Sequence, residues 1–468
     1  MQLKRSLKPG WVVLILTLMM FAWAILLPFD SFKQAARPLP ARLPSDPQAA
    51  YALLQTILRA QPANGAIRLR LARVEAALHQ NPVAIASFEA VSDSLLPEDH
   101  FKLLSLYLES QDLASARQTA RKLADLPNLL PAQFERLIRL QWQFEDWSGA
   151  RYSAANWVLA DPQNPAAWRL SALAAVSFEP QIALDNITHS VSLGNLPTDI
   201  AFQTALTEAL ARTDPASRQL AIGRALGVQG EWRLACQVFE SATDQYPNIA
   251  EAWALLGQAQ MELGQDALPA LNRAAELDSA SPIVLLALSD YWLSQAQPQT
   301  ALSYLEQAAS AYPEQGLWQV RIADALATQG DFNGALEHYQ LAVELEPENV
   351  SYWSELAVFS AVKGMNLETI GLSAARQALL LAPDNPATLD LMGWTLAIAG
   401  ENISAETFLR RALEVNPDYA MAHLHLAQLL ITLQRFSEAR TELRIAISLD
   451  GDGAIGQAAA ELLSDYWK

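Results

Sequence analysis

The residues of this chain with the most chemistry to offer are few. They are two neighbouring histidines, His423 and His425, one cysteine, Cys236, and 50 carboxylates. Two residues apart on a helix, His423 and His425 face different directions, so a shared metal is not expected. His423 reads as a packed side chain. A single cysteine excludes a disulfide framework and a thiolate zinc site, and Cys236 reads as a structural, partly buried thiol. No Gly-rich phosphate loop follows a strand, and neither HExxH nor GxSxG occurs. The Asp and Glu residues read as solvated helix faces rather than acid–base pairs. No catalytic residue, metal ligand or cofactor is therefore expected, and the chain reads as non-enzymatic.

The elements that carry these residues come from a chain of 468 residues, long enough for about three ordinary domains. Half of it is hydrophobic (51%) and only 18% is charged, which excludes an intrinsically disordered protein. The net charge is −18, and the first 47 residues hold six of the basic and two of the acidic residues, so the remainder carries −22. Phosphate binding needs a basic surface, so nucleic acid is not an expected partner. Broad adhesion to anionic lipid headgroups is excluded on the same ground.

The N-terminus differs from the rest. Trp11 to Leu27, WVVLILTLMMFAWAILL, holds 17 residues with no charge. A helix of this length just spans a bilayer core of about 30 Å with help from its flanks, and Trp11 and Trp23 suit the two interfaces. A cleaved signal peptide is the competing reading, but signal cores run shorter, and Pro28, Phe29 and Asp30 follow without a small-x-small cleavage site. The expectation is a single-pass anchor over residues 1–28. Lys4, Arg5 and Lys8 precede the span, and Lys33, Arg37 and Arg42 follow it. The tighter first cluster tips the orientation toward a cytoplasmic N-terminus, with the remaining chain outside the cytoplasm. Residues 29–47, with Pro38, Pro40, Pro44 and Pro47, read as an extended linker that stands the rest off the bilayer.

A 34-residue period fills the remainder. From Leu389 the chain reads Met392, Gly393, Gly400, Ala405, Leu409, Ala412 and Pro417, at offsets 3, 4, 11, 16, 20, 23 and 28. From Gln319 the same offsets give Ile322, Ala323, Gly330, Ala335, Tyr339, Ala342 and Pro347. Registers starting at Gln219 and Leu285 repeat the pattern, and Trp253 and Trp353 occupy the first position in theirs. The register from Trp253 is short between Gly264 and Ala267, and that from Trp353 carries two extra residues near Met365–Thr369. Five domains follow the anchor: the linker, degenerate repeats over 48–197, an irregular or unpaired helix over 198–214, the regular array over 215–451, and a capping helix over 452–468. In that cap Gln457, Glu461 and Asp465 recur at i, i+4 and i+8, which suggests one solvated face.

This pattern resembles the tetratricopeptide repeat, whose W-L-G-Y-A-F-A-P signature it follows in register several times. The composition and architecture suggest a membrane-anchored bacterial member. The resemblance implies an all-α solenoid, a right-handed superhelix of helix-turn-helix pairs, in which no pair buries its apolar faces alone. It also implies a groove lined by the first helix of each pair. Counted from the first signature position, the groove offsets fall on Arg224, Glu251, Leu255, Gln258, Asp290, Leu293, Arg321, Asp324, Glu355, Val358, Asp390, Trp394, His425 and Gln428. Carboxylates outnumber cations there, so the basic clamp that some relatives use on a terminal carboxylate is absent. Basic or amphipathic protein segments are the expected partners, with Trp394 as the candidate anchor. The expected role is a membrane-tethered protein-binding scaffold, by analogy one that serves assembly of an envelope complex. Two alternatives stay open. One is a homo-oligomerising solenoid, and the other an accessory subunit of a membrane enzyme, a secretion system or cytochrome maturation.

Overall fold

The computed structural model describes residues 43–451 and 453–467. The expected anchor at 11–27 lies outside them, as does most of the linker. Among the described residues, no helix is long and apolar enough to cross a membrane.

Those residues form 25 α-helices, most of them in consecutive packed pairs, with no strand among them. The described residues divide into two compact units, the first ending at Val238 and the second starting at Phe239. The first unit holds α1 (Pro47–Ala60), α2 (Gly65–Ala77), α3 (Asn81–Glu89), α4 (Pro97–Glu109), α5 (Leu113–Ala124), α6 (Pro131–Gln143), α7 (Trp147–Ala160), α8 (Pro165–Ala175), α9 (Pro180–Gly194), α10 (Pro197–Leu210) and α11 (Pro215–Val228). The division falls inside α12 (Trp232–Gln245). The second unit continues with α13 (Ala250–Glu262), α14 (Leu268–Leu277), α15 (Pro282–Ser294), α16 (Pro298–Ala311), α17 (Gly316–Gln329), α18 (Phe332–Leu345), α19 (Val350–Lys363) and α20 (Leu372–Leu381). It ends with α21 (Pro386–Ile398), α22 (Asn402–Val415), α23 (Ala420–Thr432), α24 (Phe436–Asp450) and α25 (Ala454–Tyr466).

Proline opens many of these helices, for example α4, α6, α15 and α21. Its fixed φ and missing N–H suit the first helical turn, where that donor would have no partner. Gly330, Gly364 and Gly400 end their helices at φ of 87°, 64° and 84°, a region that only glycine enters at little cost.

In the second unit the pairs α13/α14, α15/α16, α17/α18, α19/α20, α21/α22 and α23/α24 pack within themselves and onto their neighbours. The alanines at offsets 16 and 23 are fully buried: Ala301 and Ala308, Ala335 and Ala342, Ala405 and Ala412, Ala439 and Ala446. Small side chains there bring the two helices of a pair together. One continuous cluster runs from Ala323 and Leu336 through Leu356 and Ala375 to Met392, Leu409 and Leu426. Each pair thus completes its core with the next. The two extra residues after Trp353 are absorbed as a π-helical turn over Leu367–Gly371, entered through Asn366 at φ 52°. In α25, Gly456 and Ala459 are buried, while Gln457, Glu461 and Asp465 are exposed.

In the first unit, α2/α3, α4/α5, α6/α7 and α8/α9 form the pairs, and Phe134 stacks on Trp157 with ring centroids 5.8 Å apart. Helix α10, expected to be irregular or unpaired, is a regular α-helix. Pro197 opens it, and Phe202, Leu206 and Ala209 bury along one stripe. Its exception is one of number, because it packs against both α9 and α11 as a single helix after a complete pair.

Candidate functional site

The first helices α15, α17, α19, α21 and α23 of the second unit carry most of the expected groove residues at equivalent positions. Their phase is set at their starts. The Asn349 side chain accepts from the Ser351 N–H at 3.1 Å, and Asn385 accepts from the Ala387 N–H at 2.8 Å, as N-cap residues do.

Asp290, Arg321, Asp324 and Glu355 form one electrostatic group across α15, α17 and α19. The Arg321 guanidinium lies 3.5 Å from Asp290, whose side chain is 28% exposed. The Tyr339 hydroxyl on α18 donates to Asp324. Burial pushes the Asp290 carboxyl above the usual carboxylate range, the charge of Asp324 adds to this, and Arg321 opposes it. Partial desolvation and Asp324 likewise raise Glu355, again against Arg321. Three carboxylates share one guanidinium, so the group carries an unbalanced negative charge. Tyr339 is no base here: desolvation and the hydrogen bond to Asp324 push its pKa well up, and it stays a donor.

A second group lies on α21 and α23. The His425 Nδ1 sits 2.9 and 3.0 Å from the two Asp390 oxygens. Trp394 stacks on the His425 ring, with centroids 5.3 Å apart and planes 20° from parallel. Asp390 was expected to face the groove, yet it is 3% exposed. It holds the His425 ring, and that ring and Trp394 are both half-buried. Tyr419 is raised by burial and by the nearby charge of Asp390.

The remaining expected residues stand apart from these two groups. Gln428 is exposed on α23, and Glu251 and Gln258 are half-buried on α13. Leu255, expected in the groove, is buried in the core at 6% exposure. Arg224 belongs to the first unit. His423 is packed: its ring reaches the Pro417 carbonyl at 2.8 Å and Glu442 at 2.6 Å. Cys236 is buried. Tyr339 went unrecognised because it fills a signature position normally read only as a spacer. A hydroxyl at a core position was the available signal.

Carboxylates and a stacked indole–imidazole pair recognise cations, N–H groups and flat apolar surfaces. No group of three or more His, Cys, Asp or Glu side chains among the described residues is arranged to hold a metal.

Comparison with known proteins gives the class. Family models described as tetratricopeptide repeat match residues 220–282, 293–357 and 396–462. Those three stretches therefore carry tetratricopeptide repeats, a fold whose members generally mediate protein–protein interaction and are typically non-catalytic. A human protein O-mannosyl-transferase, TMTC1, is 27% identical over 225 residues, covering 47% of this chain and 25% of that protein. The match thus spans about a quarter of the relative's length. Among solved structures, yeast Tom70 overlaps 90% of this chain and 92% of its own, at 14% identity and a TM-score of 0.45. The APC/C hetero-tetramer Cut9–Hcn1 overlaps 90% and 93%, at 14% identity and 0.41.

Proposed function

We propose that this chain is a non-enzymatic protein-binding scaffold, tethered to a membrane by the apolar segment 11–27. In this reading the N-terminus is cytoplasmic and the repeats lie outside the cytoplasm. A partner segment lies along the first helices of the second unit and meets Asp290, Asp324 and Glu355 by charge and Trp394 and His425 by surface. The partner is basic or amphipathic, and the setting is the assembly of an envelope complex. The observation that carries this reading is the excess of carboxylate over guanidinium on adjacent first helices, since a cation supplied by a partner would relieve it.

The test is crosslinking of the anchored protein in cells, followed by purification and mass spectrometry. The comparison sample carries Glu355→Lys with Trp394→Ala. Asp390 is left alone because it is buried, and its replacement would disturb packing. A discrete partner lost in the double variant supports the reading. A partner retained there moves the contact to another face.

One observation favours self-association as a second reading. Phe436, Tyr466 and Trp467 form an aromatic group at the C-terminal end, with Phe436 43% and Tyr466 52% exposed. Recovery of the protein's own peptides alone in the crosslinking experiment would decide for it.

A further inference from the structure

The first-helix face changes character along the second unit. Five and nine residues past the first signature position, α15 carries Asp290 and Ser294, and α17 carries Asp324 and Thr328. At the same positions α19 carries Val358 and Val362, and α21 carries Trp394 and Ile398. Val358, Val362 and Ile398 are 41%, 61% and 43% exposed. Helices α19 and α21 pack directly together. An aliphatic strip thus adjoins the carboxylate group of Asp290, Asp324 and Glu355. Branched aliphatic side chains this exposed on neighbouring helices gain by being covered, at about 25 cal/mol per Å² removed from water. The adjoining acids select what covers them.

We propose that the face is bipartite, and that its occupant is a linear segment of another protein with basic side chains at one end and aliphatic side chains at the other. This rests on the scaffold reading and specifies its ligand. Neighbouring helices stand roughly 10 Å apart. The three steps from α15 to α21 are then about 30 Å, which an extended chain crosses in about nine residues. The basic and aliphatic positions are accordingly about three to six residues apart. A uniformly basic segment would leave Val362 and Ile398 exposed, and a uniformly apolar one would bury three carboxylates with only one guanidinium, Arg321, among them.

The test is selection on the immobilised full-length protein from two synthetic decapeptide libraries. One fixes two adjacent Arg residues and, three to six positions away in either order, two Leu or Ile residues. The other holds the same residues in alternation. The block library is expected to be enriched at least roughly tenfold over the alternating one. Asp324→Asn with Glu355→Gln should abolish the Arg preference and keep the aliphatic one. Val362→Asp with Ile398→Asp should do the reverse, and these exposed sites leave the fold intact. Equal enrichment of the two libraries overturns the bipartite face and leaves the scaffold reading standing. So do block peptides indifferent to both double variants. Retention of no peptide from either library, together with no crosslinked partner in cells, overturns both.

Discussion

His423 contacts the carbonyl of Pro417 at 2.8 Å, the same contact that Trp168, Trp253 and Trp353 make through their indole N–H with Pro162, Pro247 and Pro347 at 2.8–2.9 Å. The imidazole has taken over the tie between a first helix and the loop six residues before it. It has also gained a partner that an indole at the other three positions lacks, the Glu442 carboxylate at 2.6 Å. Burial alone would lower the His423 pKa. The Glu442 hydrogen bond, the Pro417 carbonyl and the charges of Glu442 and Asp418 outweigh it, and the pKa is raised. A raised folded-state pKa contributes stability that is fully present below the unfolded value near 6.5 and is lost as pH rises through the folded value. The urea midpoint of the wild type should therefore fall as pH rises above about 6.5. In Glu442→Gln that fall should be smaller, and the two proteins should converge at the alkaline end. Parallel curves would remove His423 from the account.

Two glycines test two different causes of glycine preference. A Cβ on Gly393 would stand 2.7 Å from Leu409 Cγ and 3.0 Å from the Ala405 carbonyl, so Gly393→Ala pushes α21 away from α22. The expected cost is about 2 kcal/mol, the range for overpacking a tight core. A Cβ on Gly400 meets nothing within 4 Å, but the residue sits at φ 84°. Gly400→Ala should cost about 1 kcal/mol through backbone strain alone. Chemical denaturation of both variants separates the two, because a compensating Leu409→Ala should rescue part of the first and none of the second.

How much of this could be read beforehand follows from where the signature speaks. The signature positions at Leu389, Gly393, Ala405 and Leu409 are set by the packing of one pair, so they recur and were legible in the sequence. What occupies the face is set by side-chain reach, which offsets do not encode. Asp390 and Trp394 hold groove offsets alike, yet Asp390 is buried against His425 and Trp394 only half-buried. Cross-helix polar links were legible in principle. His423 meets Glu442, and Gln319 meets His338 at 2.8 Å, both 19 residues apart. Stacking the registers at that offset would have paired them. In the first unit the signature is degenerate: in the register from Phe134, Trp157 stands at offset 23 where a small residue is expected, and Ala154 at offset 20 where a large one is. The regular helix α10 went unpaired in the sequence for want of a signature position to hang it on.

The Asp390–His425 contact should behave as one unit. Asp390 is buried, and loss of its carboxylate leaves an imidazole nitrogen without its partner, which costs about 1–3 kcal/mol. His425→Ala leaves the buried Asp390 carboxylate without that partner and should cost at least as much as Asp390→Ala. In a double-mutant cycle the coupling should reach about 1 kcal/mol or more. Additive losses would show that Asp390 serves packing and does not hold the ring against Trp394.

One site in the second unit, Asp290, gives up stability. Asp290 is held above the usual carboxylate range, first by burial and then by Asp324, with Arg321 too weak a counterweight. A carboxyl whose folded pKa exceeds its unfolded one destabilises the fold at neutral pH. That penalty disappears as pH falls through the folded value toward the unfolded value near 3.9. Asp290→Asn should therefore raise the melting temperature at pH 7 by roughly 1–2 °C, the scale of a small surface electrostatic gain. The advantage should shrink in melts at pH 5.5 and 4.5. The same variant should bind a basic peptide more slowly and with less dependence on salt, since the charge that steers the encounter has been reduced. An Asn variant that is less stable at pH 7 would mean that the Arg321 contact outweighs burial. One that gains stability equally at every pH would mean that the gain does not come from titration.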